Sequence, residues 1–460
     1  MNHEDLRLWS KHAADWAADY HATLRDRPVR PDIAPGSVAE KLPQAAPEAA
    51  EPMQAIWDDF ERLVPGAMTH WQHPRFFAYF PANAAPASML AEQLANAIAA
   101  QAMLWQTSPA ATEMEAVMVR WLAQALGLPF TRGVIHDSAT TATLSAVLTM
   151  RERALGWEGL TGGLSGAPRL RLYASDQVHS SVDKAARLAG IGQENLVKLP
   201  TDAGGAMVVA ALAAAIASDR AAGFLPIGVV ACAGGTSVGA FDRVAEVVAL
   251  ARAEGLMSHV DAAWAGSAMI CPEFRHLWAG AEAADSVVMN PHKWLGAQFD
   301  CAVQFLADPG PQIRTLGLRP AYLETPGQDE ITNFNEWTVP LGRRFRALKL
   351  WFLFRAYGLE GLRARIRNHV EWANAAAKAL AALPGVEIVT PPSLSLFSFA
   401  LRAGDAATEA LLARINSDGR IYLTQTRHAG RYAIRVQVGQ FDCKAEDVSM
   451  IAMVVAEFLP

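Results

Sequence analysis

Short apolar runs alternate with segments of helical periodicity across the middle of the chain. The apolar runs predict strands at 134–135, 170–174, 227–231, 257–260 and 286–289. The segments between them predict helices at 138–152, 180–188 and 242–253. Because strands separated by helices form crossover units, we expect a mostly parallel sheet covered on both faces. Such sheets bind ligands beyond the carboxyl ends of their strands. The residues that follow these strands are therefore the first candidates for a site.

The two ends of the chain have different patterns. Residues 1–24 predict an amphipathic helix, and six prolines between 28 and 52 predict an extended arm. Such an arm either wraps a neighbouring subunit or covers its own domain. A helix is predicted at 112–126, ahead of the alternating strands and helices. After about residue 350, alternating segments at 394–401 and 432–438 predict strands with one exposed face, followed by helices at 406–416 and 445–458. We expect an N-terminal arm over 1–84, a large α/β domain over 85–349 and a small α+β domain over 350–460.

Composition and charge narrow the class of protein. The formal net charge of −6 comes without basic blocks, which argues against nucleic acid as a partner. The longest apolar run, 207–217, is far shorter than the roughly 18 residues of a membrane span. The first turns carry Glu4, Asp5, Arg7 and Lys11, which is not typical of a signal peptide. The four cysteines are scattered without zinc spacing, so we expect no metal site and reduced thiols in the cytoplasm.

Lys293 stands directly after the last of these predicted strands. The chain has 32 arginines but only eight lysines, and this one is enclosed by Pro291, His292 and Trp294. A lysine amine that is desolvated or lies near other cations loses its proton readily and can form a Schiff base with an aldehyde. The alternative is a strand-end lysine whose ammonium reaches out to water.

Asp261 follows the preceding strand, 32 residues before Lys293. Its apolar surroundings require a partner for the carboxylate, and a structural ion pair with an arginine is the usual explanation. The spacing is about one crossover unit, however, which predicts two neighbouring strand ends. A lysine that holds an aldehyde and an aspartate that keeps a pyridine nitrogen protonated are what pyridoxal phosphate requires.

Three weaker signals follow other strands. Ser138, Ala139, Thr140 and Thr141 begin a helix, where free amides favour a phosphate, although a plain N-cap has the same composition. Gly234 and Gly235 precede Thr236 in a turn that permits close approach to a ligand. His179 either lies flat on a cofactor ring, serves as an acid, or is an ordinary structural histidine. The residues at 70–81 are rich in aromatic side chains, which suit either a core or a flat ligand pocket.

Several longer runs are specific enough to compare with known families. They are 70–71, 76–81, 108–110, 176–181, 259–266, 271–276, Asn290-Pro291-His292-Lys293-Trp294 and 340–345. With these runs and the proline-rich arm, the chain resembles the group II pyridoxal-phosphate decarboxylases, and among them the aromatic L-amino acid decarboxylase family, over nearly its whole length.

The resemblance implies a fold and a set of site residues. It implies an aspartate-aminotransferase-type fold (fold type I), a homodimer with exchanged N-terminal arms and shared active sites, a mobile loop near 322–338, and pyridoxal 5′-phosphate as cofactor. Lys293 would form the Schiff base, Asp261 would pair with the pyridine nitrogen beside Ala263, and His179 would stack on the ring. The resemblance implies contacts in the phosphate region from Ser138, Ala139, Thr140, Thr236, Asn290 and His292. The implied substrate pocket contains Trp71, Tyr79, Phe80, Pro81, Ala82 and Met103.

Three positions depart from the family pattern. Phe334 stands where relatives carry a loop tyrosine, and phenylalanine has no proton to give. A positioned acid contributes about 10²–10⁴ in rate, so its loss leaves time for dioxygen to intercept the reaction and produce an aldehyde, ammonia and peroxide. The alternative is that His179 or a water supplies the proton. Ala82 and Met103 replace the threonine and phenylalanine of animal relatives, which leaves the preferred substrate open.

The residues and the resemblance together predict a cytoplasmic, homodimeric decarboxylase of an aromatic L-amino acid such as DOPA, tyrosine, tryptophan or phenylalanine. An aromatic aldehyde synthase is the second hypothesis, because of Phe334. A non-catalytic binding relative is a third, which the intact set of Lys293, Asp261 and His179 disfavours. A glutamate decarboxylase is disfavoured because the aromatic stretch at 71–80 suits a flat ring better than a second carboxylate.

Overall fold

The computed structural model describes residues 1–318 and 331–459. The helices are α1 His3–Ala22, α2 Met53–Leu63, α3 Pro86–Ile98, α4 Pro109–Leu126, α5 Ala139–Ala154, α6 Gly159–Gly162, α7 Ser180–Leu188, α8 Val209–Ala221, α9 Val244–Ala253, α10 Gly310–Leu316, α11 Ala347–Ala381, α12 Asp405–Asp418 and α13 Ala445–Glu457. The strands are β1 Arg132–His136, β2 Leu170–Ser175, β3 Leu196–Leu199, β4 Leu225–Cys232, β5 Met257–Asp261, β6 Ser286–Met289, β7 Ala302–Leu306, β8 Val386–Ser393, β9 Leu396–Leu401, β10 Thr424–His428 and β11 Arg431–Gln437.

Two compact units make up the described chain. One comprises residues 1–81, 372–391 and 398–459, and the other comprises residues 82–318, 331–371 and 392–397. The predicted three-part division at 84 and 349 stays a prediction. Part of the predicted mobile loop, 322–330, lies outside the described residues.

A seven-stranded sheet forms the centre of the second unit, in the order β1-β7-β6-β5-β4-β2-β3. Strand β7 is antiparallel to both of its neighbours, and the pairs from β6 to β3 are parallel. Strands β4, β5 and β6 are buried along almost their whole length because helices cover both faces. The predicted mostly parallel sheet is confirmed, and it places the carboxyl ends of β4, β5 and β6 side by side.

The core on one face of this sheet is built from the predicted apolar runs. Val147 and Met150 on α5 and Val182 on α7 pack against Leu172 on β2 and Val230 on β4, and all five are at most 1% exposed. A second sheet, in the order β10-β11-β9-β8, contains the predicted C-terminal strands. No helix among residues 1–318 and 331–459 is long and apolar enough to cross a membrane.

Buried polar side chains also cross the large sheet, and we call His136, Gln304, Gln312, Ser286, His259 and Thr143 the polar row. Gln304 and Gln312 exchange two amide hydrogen bonds of 3.0 Å, and Gln312 also donates to the Trp337 carbonyl at 2.8 Å. His136 Nε2 lies 2.8 Å from Gln304 Oε1. Since that oxygen is an acceptor, the His136 ring carries its proton on Nε2.

The rest of the polar row continues in one direction. Gln304 Nε2 donates to Ser286 Oγ at 3.0 Å, so the serine hydroxyl is free to donate to His259 Nδ1 at 2.9 Å. His259 Nε2 then donates to Thr143 Oγ1 at 3.3 Å. These hydrogen bonds link β1, β7, β6 and β5 to α5 beneath the strand ends where the candidate site lies.

Candidate active site

The two central candidates lie at the ends of neighbouring parallel strands. Asp261 is the last residue of β5 and pairs in register with Val288 of β6, and Lys293 follows β6 by four residues. Backbone hydrogen bonds of 3.0 Å from Ala262 to Val288 and 2.9 Å from Asn290 to Ala263 join the segments beyond both strands. The two predicted residues therefore reach the same edge of the sheet.

Asp261 is a buried carboxylate that forms no ion pair with an arginine or lysine of the described residues. It is 8% exposed, and its Oδ1 accepts a hydrogen bond of 3.1 Å from the Ala263 amide. No arginine or lysine within residues 1–318 and 331–459 forms an ion pair with it, so the expected alternative of a structural arginine partner does not apply. A buried carboxylate of this kind requires a cationic or hydrogen-bonding partner from a ligand.

His179 lies within electrostatic reach of both residues. It caps the N-terminus of α7, where its Nδ1 accepts from the Ser181 amide at 3.1 Å and lies 2.9 Å from Ser181 Oγ. A neutral ring therefore carries its proton on Nε2. The ring is exposed on one side, and the protein around the other side lowers the pKa of His179, while the Asp261 carboxylate raises it and the Lys293 ammonium lowers it further. The charges of Asp261 and Lys293 thus act on one imidazole.

The start of α5 packs beside these groups. Ala139 and Ala142 form an apolar cluster with Val288 of β6 and with Ala263. Ser138 caps the helix by accepting from the Thr141 amide at 3.3 Å, and Thr140 is half-buried. A helix N-terminus in this place provides amide donors for an anion.

Asn290 and His292 offer opposite kinds of polar atom. Asn290 is 3% exposed, and its Oδ1 has no hydrogen-bond partner among the described residues, which suits a donor such as a ligand hydroxyl. His292 is buried, and its Nδ1 accepts from the Cys301 amide at 2.8 Å. Burial and the nearby Lys293 lower the pKa of His292 to about 3, so the ring is neutral and Nε2 carries the proton.

The turn after β4 presses against the segment that follows Asp261. Gly234 has a φ of 87°, and a Cβ there would lie 2.4 Å from the Ala265 Cβ, so only glycine fits. Thr236 is half-buried in the same turn. Its predicted contact with the phosphate region stays a prediction.

The predicted substrate residues divide between the two units. Trp71, Tyr79, Phe80 and Pro81 belong to the first unit, where the Trp71 and Tyr79 rings stack at 5.8 Å with both side chains exposed. Ala82 and Met103 belong to the second unit and are half-buried, and the Met103 carbonyl accepts from the Asn335 amide at 3.1 Å. A shared substrate pocket for these six residues stays a prediction.

Phe334 is not brought to the strand ends in this conformation. It is 2% exposed and packs with Val134, Leu306 and Trp337. Leu306 pairs with Ser286, the first residue of β6, whereas Lys293 follows the last. The ring therefore lies toward the opposite end of the strand, and its catalytic role stays a prediction.

Two residues beside Lys293 were not predicted from the sequence. Asn83 donates from Nδ2 to the Lys293 carbonyl at 2.6 Å, and His369 accepts from Trp294 Nε1 at 2.9 Å. Asn83 lies in an irregular segment and His369 in the part of α11 that follows its break at Gly358, so no strand-end position marked either one. Within residues 1–318 and 331–459 no group of three or more His, Cys, Asp or Glu side chains could hold a metal ion.

Comparisons with known proteins identify the family. The family model described as the pyridoxal-dependent decarboxylase conserved domain matches residues 35–402. The aromatic-L-amino-acid decarboxylase of Sus scrofa is 40% identical over 454 residues, which cover 95% of this chain and 93% of the relative.

Two solved structures extend the likeness to the fold. The structure of Oryza sativa TDC with PLP and tryptamine has a TM-score of 0.96 and 35% identity, covering 100% of this chain and 99% of that one. The 4-hydroxyphenylacetaldehyde synthase of Rhodiola rosea has a TM-score of 0.92 and 34% identity, covering 100% of this chain and 98% of that one. The predicted fold type I architecture is confirmed by these neighbours. With a family model that spans most of its length and a relative at 40% identity, the chain belongs to the pyridoxal-dependent decarboxylase family.

Proposed function

We propose that this protein decarboxylates an aromatic L-amino acid of the DOPA, tyrosine, tryptophan or phenylalanine class, releasing the aryl amine and CO₂. The proposal depends on one observation above all, the placement of Asp261 and Lys293 at adjacent parallel strand ends with His179 acted on by both charges. The names of the most similar relatives, which act on aromatic amino acids, support the choice of substrate class.

The residues present fit pyridoxal phosphate, the cofactor of the family. Asp261 needs a cation that the described protein does not supply, and the buried Asn290 Oδ1 needs a donor. Lys293 would hold the cofactor's aldehyde, Asp261 its pyridine nitrogen, and the start of α5 with Thr236 and His292 its phosphate. When bound, the cofactor supplies an electron sink for the electron pair of the broken carboxylate bond.

Three side chains of the protein, Asp261, His179 and His292, determine where protons are held in the site. Asp261 keeps a proton on the bound heterocycle because a buried carboxylate strongly favours a cationic partner. The Nδ1 of His179 accepts from the Ser181 amide, so the neutral ring carries its proton on Nε2 and can use it to orient a ligand or deliver a proton. The neutral His292 adds a donor without adding charge beside Lys293.

The test is a product assay with matched lysine variants. Purified protein is incubated with pyridoxal phosphate and, separately, with phenylalanine, tyrosine, DOPA and tryptophan, and amine, aldehyde, CO₂ and peroxide are measured. Borohydride reduction followed by peptide mass analysis should attach the cofactor to Lys293. Lys293→Ala should abolish the attachment, whereas Lys184→Ala on the surface of α7 should not. Attachment elsewhere, or no release of CO₂ from any of the four, would refute the proposal.

An aromatic aldehyde synthase is the second candidate, and Phe334 is the observation that favours it. A phenylalanine at this position cannot donate the proton that completes amine formation, so a carbon that has lost its carboxylate stays open to dioxygen. Dioxygen is reduced to hydrogen peroxide, and water supplies the oxygen of the aldehyde and releases ammonia. The likeness to a 4-hydroxyphenylacetaldehyde synthase agrees with this candidate as well as with the first.

The Phe334→Tyr variant distinguishes the two candidates. If Phe334 determines the outcome, the added hydroxyl should raise the ratio of amine to aldehyde, by about 10²-fold or more if it acts as a positioned acid. Phe334→Leu is the control, because it changes the ring without adding a proton donor and should leave the ratio near that of the native protein. An equal ratio of amine to aldehyde in Phe334→Tyr and Phe334→Leu would mean that Phe334 does not determine the product.

We further propose that the protein is a cytoplasmic homodimer whose N-terminal arms exchange. Leu6 and Leu8 on α1 and Leu90, Leu94 and Ile98 on α3 are exposed apolar side chains, at 43–64% of their full area. Apolar surface of this kind is typical of an interface. Sedimentation of the purified protein at micromolar concentration should give twice the 49.5 kDa chain mass. A monomeric mass would contradict the proposal.

A further inference from the structure

The turn that carries Lys293 is a π-helical turn from Pro291 to Leu295. Such turns are rare and are frequently found at functional sites. The amides that would normally continue the helix bind elsewhere. The Gly296 amide makes the turn's own bond to the Pro291 carbonyl, but the Ala297 amide also donates to Pro291 instead of His292, and the Gln298 amide donates to Ser88 Oγ instead of Lys293. The carbonyls of His292 and Lys293 must therefore find donors outside the turn.

Asn83 supplies both donors. Its backbone amide donates to the His292 carbonyl at 2.8 Å, and its side-chain Nδ2 donates to the Lys293 carbonyl at 2.6 Å. The residue is fully buried, so water does not compete for either bond. The Ala85 amide adds a third bond, to the Gly296 carbonyl at 3.0 Å. The segment before α3 is therefore joined to the Lys293 turn at the consecutive carbonyls of His292 and Lys293 and at the carbonyl of Gly296.

The indole of Trp294 is held from another element. Its Nε1 donates to His369 Nδ1 on α11 at 2.9 Å, and both side chains are about 1% exposed. Trp264, three residues after Asp261, stacks on Trp294 with centroids 5.1 Å apart and planes 16° apart. Burial and the nearby Arg365 lower the pKa of His369 to about 3, so the ring remains an acceptor at neutral pH.

These contacts fix the backbone on both sides of the Lys293 Cα. The carbonyl of Lys293 is bound by an amide side chain, and the side chain of the next residue is bound by an imidazole and stacked on the loop of Asp261. A displacement of about 1 Å at a reacting group is enough to cost about 10²-fold in rate. Neither Asn83 nor His369 needs to contact a ligand to have such an effect.

We propose that Asn83 and His369 are positioning residues, which hold the π-helical turn so that the Lys293 amine meets the cofactor's aldehyde in productive geometry. The inference rests on the proposed function, because it takes Lys293 to be that amine. Asn83 acts through the carbonyl of Lys293, and His369 acts through the indole of Trp294.

The positioning role of Asn83 is tested with Asn83→Ala and with the nearly isosteric Asn83→Asp, which puts an acceptor against the Lys293 carbonyl. Both variants should lower kcat by at least about tenfold with little change in KM, and should shift the pH midpoint of the visible absorption of the bound cofactor. Asn416→Ala is the matched control, because Asn416 makes the same kind of amide bonds with Leu423, at 3.0 Å, in the other compact unit. It should leave both readouts as in the native protein.

The positioning role of His369 is tested by removing and then restoring the acceptor of the Trp294 Nε1–H bond. His369→Leu should shift the absorption midpoint and lower kcat, and His369→Asn, whose Oδ1 can take the place of Nδ1, should restore both. Trp294→Phe removes the N–H but keeps an aromatic ring, so it should reproduce His369→Leu. The double variant Trp294→Phe/His369→Leu should then have a kcat no lower than that of either single variant.

The outcomes separate this inference from the proposed function. Should the native protein carry no cofactor on Lys293, the proposed function fails first. Should the native protein carry it while folded Asn83→Asp and Trp294→Phe variants keep the native absorption midpoint and kcat, the positioning roles are refuted and the proposed function stands.

Discussion

At the residue scale, Asp261 has the strongest consequence of any single side chain. A carboxylate that is 8% exposed and bonded to one backbone amide is costly unless a ligand completes its surroundings. Asp242, which precedes α9, is also buried, but it accepts two short bonds of 2.7 Å from the amides of Met207 and of Cys232, the last residue of the neighbouring strand β4. The comparison separates a carboxylate that needs a ligand from one that completes the fold.

This contrast gives a paired prediction. Asp261→Asn should lower kcat on the order of 10²-fold, because the bound heterocycle loses the charge that keeps its nitrogen protonated. The cofactor should remain attached to Lys293. Asp242→Asn should instead lower the unfolding temperature and leave the cofactor's absorption unchanged. Steady-state kinetics and thermal unfolding of the two variants check the prediction, and equal kinetic losses would contradict it.

At the scale of elements, Arg343 ties the segment after Trp337 to the start of the large sheet. Its guanidinium lies 2.5 Å from Glu115 on α4 and donates to the Ile135 carbonyl on β1 at 2.9 Å and the Ala102 carbonyl at 3.1 Å. Arg343 is 4% exposed and Glu115 2% exposed, so neither charge has water as an alternative partner. The same guanidinium lies 4.9 Å from the Phe334 ring centroid, which helps to hold Phe334 in its apolar cluster.

Breaking this pair on one side should be more harmful than removing it altogether. Arg343→Met leaves a buried, unpaired Glu115 and should lower the free energy of unfolding by about 3–5 kcal/mol. The double variant Arg343→Met/Glu115→Leu should recover much of that loss, because no charge is left unpaired. Urea unfolding of the three proteins measures the difference, and a double variant less stable than Arg343→Met would contradict the explanation.

Elements with uninterrupted patterns were predictable from the sequence, and those with interrupted patterns were not. The apolar runs gave β1, β2, β4, β5 and β6, and helix α7 begins and ends where predicted. Strand β7 was missed because Gln304 interrupts its apolar run, and β3 because Lys198 does the same. Gln304 is nevertheless buried, since the polar row satisfies it, a tertiary compensation that a one-dimensional pattern does not display.

The candidate site shows the same division. Lys293, Asp261 and His179 were predictable because each follows a recognisable strand. Asn83 was not, because its role depends on a partner 210 residues away, and the same holds outside the site for Glu115, whose partner Arg343 is 228 residues away. The helical periodicity of 112–126 also predicts that Trp121 lies on the buried face of that helix, which is wrong: Trp121 is 42% exposed, whereas Glu115 points inward to Arg343.

At the scale of the whole molecule, several histidines are buried in the neutral form. Burial is the main cause that lowers the pKa of His73, His136 and His259 to about 4 and of His292 and His369 to about 3. In the unfolded chain each would titrate near 6.5. As the pH falls below 6.5, these histidines therefore bind protons in the unfolded state but stay neutral in the folded state.

The protein should accordingly lose stability between pH 6.5 and about pH 4. Each of these histidines can lower the free energy of unfolding by up to about 1.4 kcal/mol per pH unit in that window. Asp242 opposes them, because burial raises its pKa to about 6 and the folded state then binds the extra proton. Urea unfolding at constant ionic strength should show a stability that falls with acidification, with a shallower slope in His369→Asn. A flat profile would mean that the buried imidazoles are not neutral.

The polar row has a consequence for how this sequence can change over evolutionary time. Gln304 and Gln312 complete each other's amides, and Ser286, His259 and His136 each depend on the direction set by that pair. An apolar replacement at one member of the polar row leaves the hydrogen-bonding groups of its neighbours buried without partners, whereas replacing the partners together does not. Substitutions in this row should thus be inherited as correlated sets, so that descendants retain all of these amides, hydroxyls and imidazoles or exchange several at once.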